Sequence, residues 1–175
     1  DIPLIRNFAH GYEQGVHYVN PDAEVLVNMT GTTPAAWNDP GKGGELAIGQ
    51  FDQGVDVVYA AAGATGLGVL QAAADRDKLS IGVDSNQNHL HPGSVLTSML
   101  KRVDVAVYNA FKDSMDGTWQ PGAQSLGLAE DGVGFAIDEN NRALITPEME
   151  AAIEDAKAKI VAGEIVVEDY YSTQN

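Results

Sequence analysis

The sequence has no cysteine. Disulfides and thiolate zinc centres are therefore excluded. Basic residues are scarce: 10 Lys and Arg stand against 25 Asp and Glu, a formal charge of −15. Such a surface repels phosphate backbones and anionic membranes, so nucleic acid is not expected as a partner. No apolar run approaches the ~20 residues that cross a bilayer. The chain opens on Asp1-Ile-Pro-Leu4, with no basic stretch leading into an apolar one, so no signal peptide is expected within it. Neither a G-x-S-x-G elbow nor a G-x-x-x-x-G-K-[ST] loop occurs, and neither His10 nor His17 pairs with an obvious serine. His89 and His91 lack a third ligand at a recognised spacing, so a solvated loop is expected there, with no metal and no cofactor.

What is present is a chain of 175 residues, 44% hydrophobic, enough for one domain with its own core. Two stretches organise it: Leu79-Ser-Ile-Gly-Val-Asp-Ser-Asn86 and Val55-Asp-Val-Val-Tyr-Ala-Ala-Ala-Gly-Ala-Thr-Gly66. Each is a short apolar run without alternation, ending in small and polar residues. Such runs read as strands of a parallel sheet buried on both faces. Around them the pattern alternates. A helix is predicted from Pro3 with Asp1 as its cap, carrying Leu4, Phe8, Tyr12 and Val16 on one stripe and stopping at Asn20-Pro21. Glu24–Asn28 reads as a strand. Asp39-Pro40 opens a helix to about Gln53, and Thr65 to about Arg76 is another. Strands at 79–83 and 94–99, a helix from about Val103 to Gly117, and extended runs at 124–128 and 133–137 follow. A helix capped by Thr146 runs to Val161, and an extended tail covers 164–170. The order predicts a layered, mostly parallel α/β sheet. A doubly wound domain normally begins with a strand, whereas this chain begins at a helix.

Open parallel sheets take ligands at the carboxyl ends of their strands. Asp84 stands at such an end, either as a carboxylate that reads a ligand or as the cap of a turn. Trp37, in the turn-rich loop 29–38, is either a stacking platform for a flat ligand or a hydrophobic plug. Gly63 and Gly66 could let backbone amides approach a ligand. With Gly68 they form G-x-x-G-x-G, which is not the dinucleotide fingerprint. Asp138, Glu139, Glu148 and Glu150 read as solvated acids or a helix start.

The order of several motifs is more specific. Asp1-Ile-Pro-Leu-Ile-Arg6, Gly11-Tyr-Glu-Gln-Gly15, Tyr18-Val-Asn-Pro-Asp22 and Asn38-Asp-Pro-Gly-Lys-Gly43 are followed by Ala61-Ala-Gly-Ala-Thr-Gly-Leu-Gly68, Ile81-Gly-Val-Asp-Ser-Asn-Gln87 and Val95-Leu-Thr-Ser-Met-Leu-Lys-Arg-Val-Asp104. This series resembles the basic-membrane-protein, PnrA-like substrate-binding proteins of ABC transporters. The resemblance implies a type I periplasmic-binding-protein fold, with two Rossmann-like lobes that close on a ligand about a hinge. It implies a purine nucleoside such as adenosine, guanosine or inosine as ligand, and a membrane ABC permease as partner. It further implies an extracytoplasmic place, periplasmic or as a cell-surface lipoprotein, and no catalysis. On that pattern Trp37 matches the aromatic that stacks on the base, Gly63 a backbone contact, Asp84 the carboxylate on the ribose hydroxyls and Lys101 a cleft lysine; Asn38 and Asp39 border the site. The same pattern makes residues 1–93 a second-lobe core, 94–122 a hinge crossover with a first-lobe strand and helix, and 123–175 the return segment. The N-terminal lobe would then be incomplete here. Two other classes stay open on the residues alone: a ligand-sensing domain of a regulator, and a nucleoside hydrolase or phosphorylase.

Overall fold

The computed structural model describes residues 1–174. Its centre is a four-stranded sheet in the order β1 (Val57–Tyr59), β2 (Leu79–Asp84), β3 (Val95–Lys101) and β4 (Val133–Phe135). The first three strands are parallel, and β4 runs antiparallel along β3. The mostly parallel α/β class is the one the apolar runs predict. Ser80, Gly82 and Val83 are buried in the middle strand β2, as a strand covered on both faces requires.

Among the described residues the chain also forms five α-helices: α1 (Pro3–Val19), α2 (Pro40–Phe51), α3 (Thr65–Asp75), α4 (Val103–Asp116) and α5 (Pro147–Val161). Helix α2 starts as its sequence dictates, with Pro40 in the first turn and Asp39 accepting from the Lys42 amide at 3.0 Å. It crosses α3 at very close range. A Cβ at Gly68 would lie 1.8 Å from the Pro40 carbonyl oxygen, and one at Gly43 would lie 2.1 Å from that of Thr65. The glycines of the Gly63–Gly68 run thus have a packing duty, which lets Ala47, Phe51, Val58, Ala60, Val69, Ala72 and Ala73 close into one core. Thr146 caps α5 by accepting from the Met149 amide at 3.2 Å.

Several expectations are corrected. The residue preceding α1 is Ile2, not Asp1; the Asp1 carboxylate is held by the Arg6 guanidinium at 2.7 Å instead. Residues 24–28 are not a strand. Their backbone is met by the Gln50 side chain, which donates to the Leu26 carbonyl at 3.2 Å and to Asn28 Oδ1 at 2.8 Å. Residues 124–128 make no ladder either, because Gly127 turns locally, its amide bonded to Glu130 and its carbonyl to the Gly132 amide. The tail ends in a 3₁₀ turn at Tyr170–Gln174 lying along α1, with the Tyr170 amide on Asn7 Oδ1 at 2.9 Å. Beyond Gly93 the chain continues into β3, which pairs with β2 from Ser80↔Val95 to Asp84↔Leu100.

Candidate functional site

The strand tips of β1, β2 and β3 lie side by side, and each carries part of the predicted site. At the first tip stands Gly63, in the left-handed region with φ +57°. A Cβ there would sit 3.3 Å from Trp37 Cε3 and 3.2 Å from the Trp37 carbonyl oxygen. The indole is therefore seated on the Gly63 backbone, and Trp37 keeps 39% of its surface exposed. Its short helical turn, Pro34–Trp37, is pinned from below by Thr65. The fully buried Thr65 hydroxyl donates to the Ala36 carbonyl at 2.7 Å and accepts from the Asp39 amide at 2.8 Å. Asn38, next in the chain, is exposed. Asp39 has one carboxylate oxygen committed to capping α2.

At the second tip Asp84 has φ +66°, a conformation that Asp tolerates better than most L-residues. Three bonds hold the turn. The Ser85 amide donates to the Val83 carbonyl at 2.8 Å, the Val83 amide to Gln87 Oε1 at 2.8 Å, and the Gln87 amide to Ser98 Oγ at 2.9 Å. Asp84 is thus aimed by its neighbours. Its Oδ1 meets Lys101 Nζ, at the third tip, at 2.8 Å, with both side chains about half exposed. An ion pair so exposed is worth about 0–1 kcal/mol. A ligand group could replace either partner at little cost.

The structure brings together Trp37 with Gly63, and Asp84 with Lys101. Among the described residues no hydrogen bond or ion pair joins one pair to the other. It also shows two features that sequence reading missed. Tyr59, at the end of β1, has its phenol pushed well above the ordinary value of 10.0, first by burial, then by the Asp84 carboxylate, then by Tyr12. The Tyr12 and Tyr59 rings stand 5.3 Å apart, tilted by 32°. A lone tyrosine in an otherwise aliphatic strand is the signal that could have marked it. Asp138 is not a free solvated acid. It accepts from Asn86 at 2.6 Å, from the Asn140 amide at 2.7 Å and from Asn88 at 3.2 Å. These donors, Asn86 first, hold its carboxyl below the usual carboxylate range. Buried Asn88 and Ser98 complete the link, with Ser98 Oγ donating to Asn88 Oδ1 at 2.8 Å. The loop behind Asp84 is thereby tied to the segment after β4. His89 and His91 join no metal set: among the described residues no three His, Asp or Glu gather as ligands.

Fold and edge together define the class of open parallel α/β proteins whose small-molecule ligands sit at strand tips. Comparison with known proteins narrows it. Residues 1–170 match the family model described as ABC transporter substrate-binding protein PnrA-like, and the chain belongs to that family. Basic membrane protein D of Borreliella burgdorferi (strain JD1) is 36% identical over 141 residues, which is 78% of this chain and 40% of that protein. An ABC transporter solute-binding protein from Aeropyrum pernix K1 superposes with a TM-score of 0.73 at 34% identity, covering 98% of this chain and 58% of the other. A transcriptional activator of the comK gene from Bacillus halodurans shares the fold at 22% identity, with a TM-score of 0.68 over 77% of this chain and 46% of its own. The chain spans about half the length of the relatives it matches.

Proposed function

We propose that these residues form one side of an interlobe cleft that binds a purine nucleoside or a related small ribosyl ligand. The full-length protein would be the extracytoplasmic, lipid-anchored binding component of an ABC transporter, passing its ligand to a membrane permease. The observation that carries this reading is the Asp84–Lys101 pair, aimed by a strained turn and cheap to re-pair, on the same strand-tip edge as the part-exposed Trp37. In this reading the indole stacks on the base. Asp84 accepts from ribose hydroxyls through charge-assisted bonds, the stronger kind. Lys101 balances the carboxylate, the Gly63 backbone approaches the ligand, and Asn38 and Asp39 border it. Closure of two lobes about a hinge traps the ligand and makes the form that the permease meets. Helix α4 belongs with the other lobe, since Val103, Val107, Tyr108, Phe111 and Met115 are exposed along it and none of its residues is buried.

The test is a thermal-shift screen of the full-length protein with adenosine, guanosine, inosine, their free bases and ribose. A nucleoside at about a hundred times its Kd adds about 2.7 kcal/mol, a rise of several degrees. Asp84→Asn keeps a residue that tolerates positive φ and removes the charge. It should weaken binding at least about tenfold, as loss of a charged hydrogen bond of about 1.5–3 kcal/mol implies. Nucleosides that shift nothing, or unchanged affinity in Asp84→Asn, would remove the reading. The fold also serves a regulator, and a ligand response coupled to DNA binding would favour that role. Free hypoxanthine released from inosine would instead mark a hydrolase.

A further inference from the structure

Asp138 sits beneath the site edge, not on it. Strand β4 runs antiparallel to β3, with Val133 beside Lys101 and Phe135 beside Met99, so the chain has left the strand tips before it reaches Asp138. Its carboxylate nevertheless grips the turn that carries Asp84. Oδ2 accepts from Asn86 Nδ2 at 2.6 Å and from Asn88 Nδ2 at 3.2 Å. Oδ1 accepts from the Asn140 amide at 2.7 Å and from Asn140 Nδ2 at 3.0 Å. Four N–H donors thus converge on one side chain. A carboxylate accepts at both oxygens, whereas an asparagine there would turn an NH₂ group toward a donor. The anchor behind it is buried. The Asp138 amide donates to Asn141 Oδ1 at 2.8 Å, and fully buried Asn141 donates to the Leu96 carbonyl at 2.8 Å and the Ala136 carbonyl at 2.9 Å.

From Asp138 the ties run back to Asp84. Asn86 Oδ1 accepts from the Asn88 amide at 3.0 Å, which closes the turn. Fully buried Asn88 accepts from Ser98 Oγ, that same oxygen accepts from the Gln87 amide, and Gln87 Oε1 accepts from the Val83 amide. Strand β2 makes room for these bonds with glycine: a Cβ at Gly82 would lie 2.7 Å from Ser98 Oγ and 2.9 Å from Gln87 Oε1. Asp84, at φ +66°, stands inside this closed set. Left-handed backbone is disfavoured for residues with a side chain and persists where the surroundings impose it.

We propose that Asp138 is a positioning residue of the binding site: through Asn86 and Asn88 it holds the 84–88 turn, and with it the Asp84 carboxylate, in the conformation that meets the ligand. The inference rests on the reading of Asp84 as a ligand-binding group. It brings into the site's workings a segment after β4 that leads away from the strand tips. Affinity falls with the fraction of molecules in the competent state, so a turn correctly set in one molecule out of five weakens binding about fivefold.

Asp138→Asn in the full-length protein tests it, since the shape is kept and an NH₂ group must face either Asn86 or Asn140. Without ligand, the Val83 and Gln87 amides should exchange at least about tenfold faster than in wild type, measured against the ladder amides of β3 so that any global loss of stability cancels. Binding of inosine or adenosine, whichever the wild type holds more tightly, should weaken at least about fivefold by titration calorimetry. In the Asp84→Asn background the same substitution should change affinity by less than about 1.5-fold, because a residue that acts through the Asp84 carboxylate then has nothing to aim. Asn86→Ala, at the exposed far end of the same bond, carries the same expectations should Asp138→Asn not fold. Unchanged exchange at Val83 and Gln87 would overturn the inference. So would equal weakening in both backgrounds, which would make Asp138 a general support of the fold. A wild type that binds neither nucleoside would sink the nucleoside reading, and the exchange of Val83 and Gln87 would still decide whether Asp138 holds the turn.

Discussion

Helices α2 and α4 differ completely in how they are packed. Helix α2 buries Gly43, Ala47, Gln50 and Phe51 and touches α3 through glycine, so that backbone lies almost on backbone. Helix α4 buries nothing, and leaves Phe111 70% and Met115 87% exposed. Large apolar side chains along one helix mark a surface built to be covered. Small residues at a crossing mark a surface already matched within the chain. The contrast separates a crossing matched within these residues from a face that looks outward.

The largest expected effect is on the matched side. Gly68→Ala gains about 1 kcal/mol in helix propensity. It also places a Cβ 1.8 Å from the Pro40 carbonyl oxygen, which only a backbone shift can relieve. Overpacking of that kind costs about 3 kcal/mol, so a net loss of about 2 kcal/mol is expected in urea unfolding of the full-length protein. A stabilised variant would show that α2 and α3 are not so close. On the other side, Phe111→Ser in the full-length protein should cost about 2 kcal/mol, the worth of burying a phenylalanine. A change below about 0.5 kcal/mol would mean that the α4 face meets water, and the contrast would lose its meaning.

The same contrast explains what the sequence could reveal. Strands β2 and β3 and helices α2, α3 and α5 carry local signals: unbroken apolar runs, Asp39-Pro40 and Thr146-Pro147. Residues 24–28 carry the same apolar signal and fail to pair, because strand pairing depends on a neighbour and composition does not supply one. Asp84 and Lys101 were legible as strand ends. Their ion pair was not, since it depends on the register of β2 against β3. Sequence alone leaves Trp37 between platform and plug, and the structure gives it features of both: it is seated on Gly63 yet partly open. Asp138 looked like an ordinary surface acid because its partners, Asn86 and Asn88, lie some fifty residues away in sequence.

The smallest effect probes the site edge itself. Tyr59 ionises late because it is buried and because Asp84 opposes a second negative charge nearby. Its folded-state value is raised, so the unfolded chain loses this proton first. Tyr59 therefore leaves stability unchanged below about pH 10, and stability falls as pH rises from there toward the folded-state value. Replacing Asp84 by Asn removes only the electrostatic part. In the full-length protein, difference absorbance between wild type and Tyr59→Phe isolates this one phenol from the other tyrosines. In the Asp84→Asn background the isolated transition should move down in pH yet stay above the ordinary tyrosine range, because burial is the larger cause. A transition that does not move would mean that the Asp84 carboxylate does not act on Tyr59, and that the β1 and β2 tips do not share one electrostatic environment.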